Sequence, residues 1–312
     1  MRPDDALAPV LAFERVTRWY GHVVALMDVS FEVGREVVGL VGQNGVGKST
    51  LMKLAAGLLR PSQGQVRVCG RDATTRAARA EVGYCPDFEA LPERCSGAHY
   101  VTNLLRYHGH GARSAAERAR AVLQDLGLGQ HMDRSIGEYS KGMRQRVRLA
   151  QALAHEPRFV LLDEPMTGLD PVARSELALT IRALPARGIG VLVSSHVLHE
   201  LESVVDRVVL VHQGRLLASG RIGELRRLVP ELPQRVRLVA ARQRELAARL
   251  LQLPQVIAVK LAEQDQELQV TVQQPREFLR ELTRLGASGS FVIEAVQMMD
   301  DNLASVFGHL VG

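Results

Sequence analysis

One nine-residue stretch, Gly42 to Thr50, constrains this chain more than any other part of it. It reads Gly-Gln-Asn-Gly-Val-Gly-Lys-Ser-Thr and so has the spacing G-x-x-x-x-G-K-S of a phosphate-binding loop. The apolar run at 36–41 predicts a buried parallel strand before the loop, and apolar residues at helical spacing over 51–58 predict a helix after it. Backbone N–H groups of such a loop surround a polyphosphate, and the helix adds the positive end of its dipole. The stretch therefore predicts a polyphosphate site at a strand-to-helix turn.

The loop ends in three polar side chains, each suited to a different part of a nucleoside triphosphate. Lys48 can reach the β- and γ-phosphates, Ser49 can ligate Mg²⁺, and the Thr50 hydroxyl can donate to the α-phosphate. The alternative is a plain glycine-rich turn before a helix. It is disfavoured because the Lys-Ser pair and both flanking elements stand in the required order.

Two adjacent carboxylates, Asp163 and Glu164, follow a short apolar strand predicted at 159–162. In open α/β sheets the carboxyl ends of the strands line the ligand crevice. Asp163 can hold Mg²⁺ through a water molecule, and Glu164 can polarise a water for in-line attack on the γ-phosphorus. Two acids in a row alone would indicate a solvated turn, but downstream of a phosphate loop they favour a catalytic site.

Bulk properties exclude several classes of protein. The chain has 312 residues, enough for two domains, and its net charge is +5. Its basic clusters are not interleaved with aromatic residues, so no nucleic-acid partner is expected. The three cysteines, Cys69, Cys85 and Cys95, lack C-x-x-C spacing, which predicts neither a disulfide framework nor a structural metal and fits a reducing cytosol. The N-terminus does not resemble a signal peptide, and no apolar run approaches the roughly 20 residues that span a bilayer.

Strands alternate with helices along most of the chain, which predicts α/β architecture with a largely parallel sheet. Strands are expected at 10–16 and 29–33, with residues 19–22 in the loop between them, and residues 96–156 are expected to be mostly helical. Pro230 and Pro233 bracket a predicted linker. We thus expect a first domain at 1–230 and a second at 231–312.

The second domain has the predicted order β-α-β-β-α-β, the split pattern of a ferredoxin-like fold. A hairpin turn is expected at 264–266, and a last amphipathic helix at 302–310. This domain carries no chemical motif. We expect it to assist dimerisation or to regulate, and simple packing is the alternative.

The order of these motifs resembles the ATP-binding subunit of ABC transporters over residues 10–228. The order is an aromatic residue (Tyr20), a phosphate loop (Gly42–Thr50), a Ser-x-Gly helix start (Ser140 and Gly142), an Asp-Glu pair (Asp163 and Glu164), a Gly-Leu-Asp run (Gly168–Asp170) and a His (His196). The runs 139–145 and 302–307 look most like the branch that serves exporters of drugs, lipids, polysaccharides or cofactors.

The resemblance implies a P-loop ATPase core with an antiparallel β-subdomain and a helical signature subdomain at about 96–156. It implies that Tyr20 stacks on adenine, that Glu164 is the general base, and that His196 contacts the γ-phosphate, with Lys48 as a further catalytic residue. The residues implied to contact phosphates in the loop are Gly42, Asn44, Gly45, Gly47, Lys48, Ser49 and Thr50. Ser140 and Gly142 would contact the γ-phosphate held by a second copy, and Asp170 would lie at the dimer seam.

The chain departs from the family pattern at Asp87, where the family usually has Gln. An ionised carboxylate accepts hydrogen bonds only, whereas an amide also donates them. Asp87 can ligate Mg²⁺ more directly, but it also repels the γ-phosphate. The candidate metal ligands are therefore Ser49, Asp163 and Asp87. The signature run also departs from Leu-Ser-Gly-Gly-Gln, but Ser140 and Gly142 are kept.

The resemblance implies an ATPase that requires ATP and Mg²⁺, forms a homodimer with shared ATP sites, and drives an integral membrane permease on a separate chain. Such a subunit works at the cytoplasmic face of the cell membrane. A soluble ATP-switched interaction or regulatory protein of the same class, acting without a transporter, is the alternative. Asp87 also leaves open a non-hydrolysing ATP sensor.

Overall fold

The protein is described by a computed structural model that covers residues 8–43, 45–87, 90–205, 207–227, 233–261 and 267–299, without the side chains of 198, 199, 226 and 227. The chain divides into two compact units, Met1–Ile222 and Gly223–Gly312. No helix among the described residues is long and apolar enough to cross a membrane.

The first unit contains ten strands and seven α-helices within its described residues, and an eighth α-helix begins at its last residue. The strands are β1 (Leu11–Tyr20), β2 (Val23–Val33), β3 (Val37–Val41), β4 (Gln63–Val68), β5 (Arg71–Asp72), β6 (Val82–Cys85), β7 (Phe159–Asp163), β8 (Gly190–Ser195), β9 (Arg207–His212) and β10 (Arg215–Arg221). The helices are α1 (Lys48–Ala55), α2 (Arg76–Ala80), α3 (Gly97–Tyr107), α4 (Ala112–Asp125), α5 (Lys141–Leu153), α6 (Pro171–Ala183), α7 (Leu198–Glu202) and α8 (Ile222–Arg227). Of these, β5, α2 and α8 were not predicted from the sequence.

A six-stranded sheet with the order β10-β9-β3-β8-β7-β6 forms the centre of the first unit. Strands β3, β6, β7, β8 and β9 run parallel, and β10 is antiparallel to β9. Every residue of β3, β7 and β8 is buried, as expected for strands covered on both faces. The α/β class predicted from the sequence is confirmed, and the carboxyl ends of β3, β6, β7 and β8 share one edge.

A smaller antiparallel sheet, with the order β2-β1-β4-β5, forms a second layer. Strands β1 and β2 join through only Gly21 and His22, with Gly21 at φ 56°. The expectation that residues 19–22 form a loop is therefore wrong for Trp19 and Tyr20, which end β1. A two-residue hairpin lets both strands extend to the turn, because glycine adopts a positive φ without strain.

One hydrophobic core joins these two sheets and α1. Phe13 and Phe31 stack with their ring centroids 4.7 Å apart, and Leu51 and Leu54 of α1 are fully buried in the same cluster. The core also takes Phe159 from β7. Because α1 is packed on the core, the residue at its N-terminus, Lys48, is held at a fixed position beside the sheet edge.

Three helices account for most of residues 96–156, as predicted. Ser96 caps α3 by accepting from the His99 N–H, and Ser140 caps α5 by accepting from the Met143 N–H. Such caps satisfy N–H groups that the first turn leaves free. The Ser-x-Gly helix start expected from the sequence is the start of α5, with Ser140 at the cap position.

Two histidines connect the ends of α3 and α5 to β6. The His108 and His155 rings stack with centroids 4.2 Å apart, and His155 Nε2 donates to the Val82 carbonyl oxygen over 3.0 Å. Burial, with a smaller contribution from His108, lowers the pKa of His155 to about 4. The fold therefore requires a neutral His155 ring.

The second unit forms a four-stranded antiparallel sheet in the order β12-β13-β11-β14. Its elements are β11 (Gln234–Ala240), α9 (Gln243–Leu250), β12 (Val256–Leu261), β13 (Glu267–Val272), α10 (Pro275–Ala287) and β14 (Ile293–Met298). Alternate residues of β11 and β13 are buried with Leu246 and Phe278 of the two helices. The predicted β-α-β-β-α-β order is confirmed, whereas the predicted turn at 264–266 and helix at 302–310 lie outside the described residues.

A neutral, buried His155 predicts acid sensitivity. Its folded pKa, about 4, lies below its ordinary value of 6.5, so the stability it contributes is complete above 6.5 and is lost as the pH falls towards 4. The loss amounts to about 3 kcal/mol over that interval. The variant His155→Gln cannot titrate and still offers an N–H donor. We expect its free energy of unfolding, measured by chemical denaturation, to fall between pH 7 and pH 4 by about 3 kcal/mol less than that of the parent. His99→Gln on the exposed face of α3 is the control, and an equal acid loss in the His155 variant would contradict the assignment.

Candidate nucleotide-binding site

The loop between β3 and α1 is shaped by glycines. Gly45 and Gly47 have φ values of 81° and 108°, a region that favours glycine. A Cβ on Gly42 would lie 2.6 Å from the Val211 carbonyl oxygen, and one on Gly47 would lie 2.8 Å from that of Ala25. The loop thus packs closely on neighbouring backbone and turns directly into α1. Asn44 lies outside the described residues.

Lys48 is the first residue of α1 and is only 7% exposed. Its Nζ donates to the carbonyl oxygens of Gly42 at 2.6 Å and Gln43 at 3.2 Å. Burial lowers the pKa of Lys48, while the charges of Glu164 and Asp163 oppose that shift. The ammonium group therefore lies over the loop, within electrostatic range of both predicted acids. Ser49 and Thr50 follow it in the first turn of the same helix.

Asp163 ends β7 and is 5% exposed. Its Oδ1 accepts a 2.6 Å hydrogen bond from the Ser194 hydroxyl, which lies directly opposite in the parallel β7–β8 register. Burial raises the pKa of Asp163, and the Asp87 and Glu164 charges add to the rise, whereas Ser194 and Lys48 lower it. This carboxylate sits in a region with an excess of negative charge.

Glu164 occupies a strained backbone position beside Asp163. Its φ is 50°, which is uncommon for a non-glycine residue, and its N–H donates to Ser194 Oγ over 3.0 Å. Its Oε2 receives hydrogen bonds from His196 Nδ1 at 2.8 Å and from Thr167 Oγ1 at 3.2 Å. The structure thus brings the two residues predicted as general base and γ-phosphate contact, Glu164 and His196, into direct contact.

Asp87 and Tyr20 are both exposed. Asp87 lies two residues after the end of β6, and Tyr20 is the last residue of β1. Asp87 follows β6 and is close enough to Asp163 to raise the pKa of that residue. The Tyr20 ring is 43% exposed, and the Arg18 guanidinium carbon lies 4.6 Å from its centroid. One face of the Tyr20 ring is therefore covered by Arg18.

The remaining predicted residues lie at helix N-termini away from the phosphate loop. Ser140 caps α5, and Asp170 caps α6 by accepting from the Val172 and Ala173 N–H groups at 3.0 and 2.9 Å. A Cβ on Gly142 would lie 3.2 Å from that of Ala173, so α5 and α6 pack closely at this glycine. Within the described residues, no hydrogen bond joins Ser140, Gly142 or Asp170 to the phosphate loop of the same chain.

The sequence alone did not assign a role to Ser194, although its hydroxyl bonds the Asp163 carboxylate and the Glu164 backbone N–H. The sequence did offer one indication of a role for Ser194, because it is a polar residue near the end of the apolar strand at 190–195. That signal becomes specific only when β8 is known to pair with β7 so that Ser194 faces Asp163. Strands β7 and β8 follow one another along the chain, but their register, which places Ser194 opposite Asp163, is set by tertiary packing and is not contained in the local pattern.

Comparison with known proteins agrees with this geometry. A family model described as ABC transporter matches residues 26–167. The daunorubicin/doxorubicin resistance ATP-binding protein DrrA of Streptomyces peucetius is 32% identical over 288 residues, which are 92% of this chain and 87% of DrrA. The lipopolysaccharide export system ATP-binding protein LptB of Acidithiobacillus ferridurans is 36% identical over 224 residues, 70% of this chain and 93% of LptB.

A solved structure described as the ATP-binding subunit of an ABC transporter has the same fold over most of the chain. Its TM-score is 0.64 and its sequence identity is 30%, over 70% of this chain and 92% of that chain. Fold and sequence comparisons therefore identify the same family.

The contacts of Ser194 predict a pH-dependent effect of its removal. Ser194→Ala leaves the Glu164 N–H without its partner and removes a hydrogen bond that lowers the Asp163 pKa. We expect the free energy of unfolding at pH 7 to fall by about 1–3 kcal/mol. Because an acid with a raised folded pKa destabilises the fold above that pKa, the deficit should narrow as the pH falls towards the ordinary Asp value of 3.8. Denaturant titration from pH 7 to pH 4 measures it.

The matched control is Ser203→Ala, which removes one hydroxyl bonded to the Glu200 carbonyl oxygen. Its effect should not depend on pH. A Ser194→Ala deficit that is the same at pH 4 and pH 7 would show that the hydroxyl does not stabilise ionised Asp163.

Proposed function

This chain belongs to the family of ABC transporter ATP-binding proteins and is an ATPase subunit that powers transport, and we propose that two copies of it hold Mg·ATP between them. In this proposal the phosphate loop and the Asp163–Glu164 pair of one copy face the α5 N-terminus of the other. The observation that carries the proposal is the Lys48–Asp163–Glu164–His196 constellation at the edge of the parallel sheet.

The donor set at this edge fits Mg²⁺. Ser49, Asp163 and Asp87 offer hydroxyl and carboxylate oxygens, which are the ligands that Mg²⁺ prefers. Asp163 has a raised pKa beside Asp87 and Glu164, and a divalent cation would relieve this crowding of negative charge. Mg²⁺ would be held by Ser49 and Asp163, with Asp87 as a further ligand, and would supply charge neutralisation on the phosphates.

The protein groups then divide the work of hydrolysis. Loop N–H groups from Gly45 to Thr50 and the α1 dipole bind the phosphates, and Lys48 contacts the β- and γ-phosphates. Glu164 accepts a proton from the attacking water, with its carboxylate oriented by the hydrogen bonds from His196 and Thr167. His196 can exchange its contact with Glu164 for one with the γ-phosphate. Tyr20 provides the stacking surface for adenine.

The second copy would complete each site. Ser140 and Gly142 lie at the positive end of the 13-residue helix α5, which favours an anion such as the γ-phosphate. Asp170, at the start of α6, would lie at the seam beside them. ATP bound in this way links the two copies, and its hydrolysis releases them.

The membrane partner would be an integral permease on a separate chain, with this subunit docked at the cytoplasmic face of the membrane. Two relatives, DrrA and LptB, carry resistance or export functions in their names, which supports export as the direction of transport. The cargo site would then lie in the permease.

The general-base assignment predicts a trapped dimer. Glu164→Gln keeps the shape and the hydrogen-bond acceptor for His196 but cannot take a proton. We expect it to form a stable dimer in saturating Mg·ATP, seen by light scattering, and to lose turnover by at least about 100-fold in a phosphate-release assay. Glu117→Gln on exposed α4 is the control and should turn over normally. A Glu164→Gln chain that binds Mg·ATP yet stays monomeric would exclude the two-copy mechanism.

The domain at 231–312 is proposed to assist dimerisation or regulation. Within the described residues the second unit has its own sheet and hydrophobic core. The match to DrrA covers 92% of this chain. The match to LptB covers only 70% of this chain, although it covers 93% of LptB. An accessory region is thus shared with the drug-resistance relative and goes beyond what the minimal subunit requires.

Removing this domain tests its role. A chain of residues 1–228 should retain Mg·ATP binding, because the phosphate loop and both acids lie within it. We expect its Glu164→Gln form to dimerise more weakly than the full-length Glu164→Gln chain across a dilution series followed by light scattering. Equal dimerisation and equal turnover of the two lengths would remove the proposed role.

A further inference from the structure

Arg148 of α5 is a buried cation without a carboxylate partner among the described residues. It is 8% exposed, and its Nη1 donates to Gln145 Oε1 over 2.7 Å. Its Nη2 is buried and has no hydrogen-bond partner within the described part of the chain. A buried guanidinium is strongly destabilising unless an anion neutralises it. The arrangement therefore calls for an anion beside Nη2.

Among the residues that the structure describes, most acidic groups near Arg148 are already engaged or neutral. Burial raises the pKa of the Cys85 thiol to about 11 despite the opposing charge of Arg148, so this thiol is not a counter-ion at neutral pH. Glu93 pairs with Arg144 at 3.4 Å. Asp163 accepts from Ser194, and Glu164 from His196. Of the described acids, Asp87 remains as the rival partner for Arg148, and an Asp87→Asn variant tests it.

Arg148 lines a cavity between α5 and the loop that follows β7, which we name the Arg148 cavity. Lys141, Arg144 and Arg148 line it from one face of α5, at spacings of three and four residues, and Thr167 and Leu169 line it from the loop. No described carboxylate lines it. The cavity offers about 20 Å³ to the centre of a water molecule, more than the ~10–15 Å³ that one bound water needs.

The cavity borders the site of hydrolysis through Thr167. Its hydroxyl donates to Glu164 Oε2 over 3.2 Å, so one residue separates the cavity from the proposed general base. The exposed Lys141 and Thr167 form its outer part, whereas Arg148 and Leu169 are buried. A small oxyanion formed near Glu164 would thus meet cations of increasing burial.

We propose that the Arg148 cavity is a second oxyanion site and that it binds inorganic phosphate, the product of ATP hydrolysis. The guanidinium fork matches the geometry of phosphate oxygens, and Lys141 and Arg144 add positive charge. The enclosed part of the cavity has room for about one water-sized oxygen, so one phosphate oxygen would lie against Arg148 and the others at the exposed end beside Lys141 and Thr167. This inference rests on the proposed function, because it takes its ligand from the reaction at Glu164.

The test uses the full-length Glu164→Gln chain saturated with Mg·ATP, so that the nucleotide fills the phosphate loop including the γ-position. Inorganic phosphate is then titrated by calorimetry. We expect one additional phosphate per chain, bound at least about tenfold more weakly after Arg148→Met in the same background, because a charge-assisted hydrogen bond is lost. Arg113→Met, which removes an exposed cation from α4, should leave the additional binding unchanged.

Folding of the Arg148 variant is checked by its melting temperature with and without phosphate. Removal of an uncompensated buried charge should leave the melting temperature unchanged or raise it. Added phosphate should raise the melting temperature of the ATP-saturated Glu164→Gln chain but not that of its Arg148→Met derivative. Lys141→Met, at the exposed end of the cavity, should weaken phosphate binding several-fold, since it removes one of three cations.

The outcomes separate this inference from the function on which it rests. If Mg·ATP itself does not bind, the proposed function fails. If Mg·ATP binds but no further phosphate does, or if Arg148→Met leaves phosphate binding intact, the cavity proposal is overturned. It is also overturned if phosphate binds only after Asp87→Asn, since Asp87 would then be the native counter-ion of Arg148.

Discussion

The parallel pairing of β3, β8 and β7 is the constraint on which the site depends. It places the end of β3, where the phosphate loop begins, two strands away from the end of β7, where Asp163 and Glu164 lie. Between them lies β8, and the hydroxyl of its Ser194 donates to the Asp163 carboxylate and accepts from the Glu164 backbone N–H. Since all three strands are buried along their whole length, their register cannot shift without exposing the core, and the positions of the polar groups at the edge are fixed with it.

Burial of charged groups at the edge of the sheet explains much of the local chemistry. Burial and two neighbouring acids raise the pKa of Asp163, and Lys48 is itself buried nearby with a lowered pKa. Such opposed shifts are typical of functional sites, where charge is concentrated to act on a ligand. Helix α5 carries the complementary charge, with three cations on the face that borders this region.

Much of the fold followed from sequence pattern, because apolar periodicity and glycine punctuation are local properties. The strand and helix that flank the phosphate loop, the strand before Asp163 and Glu164, the helical stretch at 96–156 and the β-α-β-β-α-β order of the second unit were predicted from the sequence. The loop expected around Trp19 and Tyr20 was wrong, because the hairpin between β1 and β2 closes with only two residues. The short elements β5, α2 and α8 were missed, because two to six residues carry too little periodicity to detect.

The sequence by itself determined the chemistry: Lys48 at the start of a helix after a glycine loop, two acids after an apolar strand, and Ser140 ahead of a basic helix. These features are set by neighbours in the chain, so spacing alone identifies them. Only the tertiary structure decided that His196 contacts Glu164, that Ser194 holds both acids, and that Arg148 is buried without a carboxylate among the described residues. Each of those contacts depends on strand order and helix packing over long sequence separations, and burial is what gives an unpaired charge or a shared hydroxyl its energetic weight.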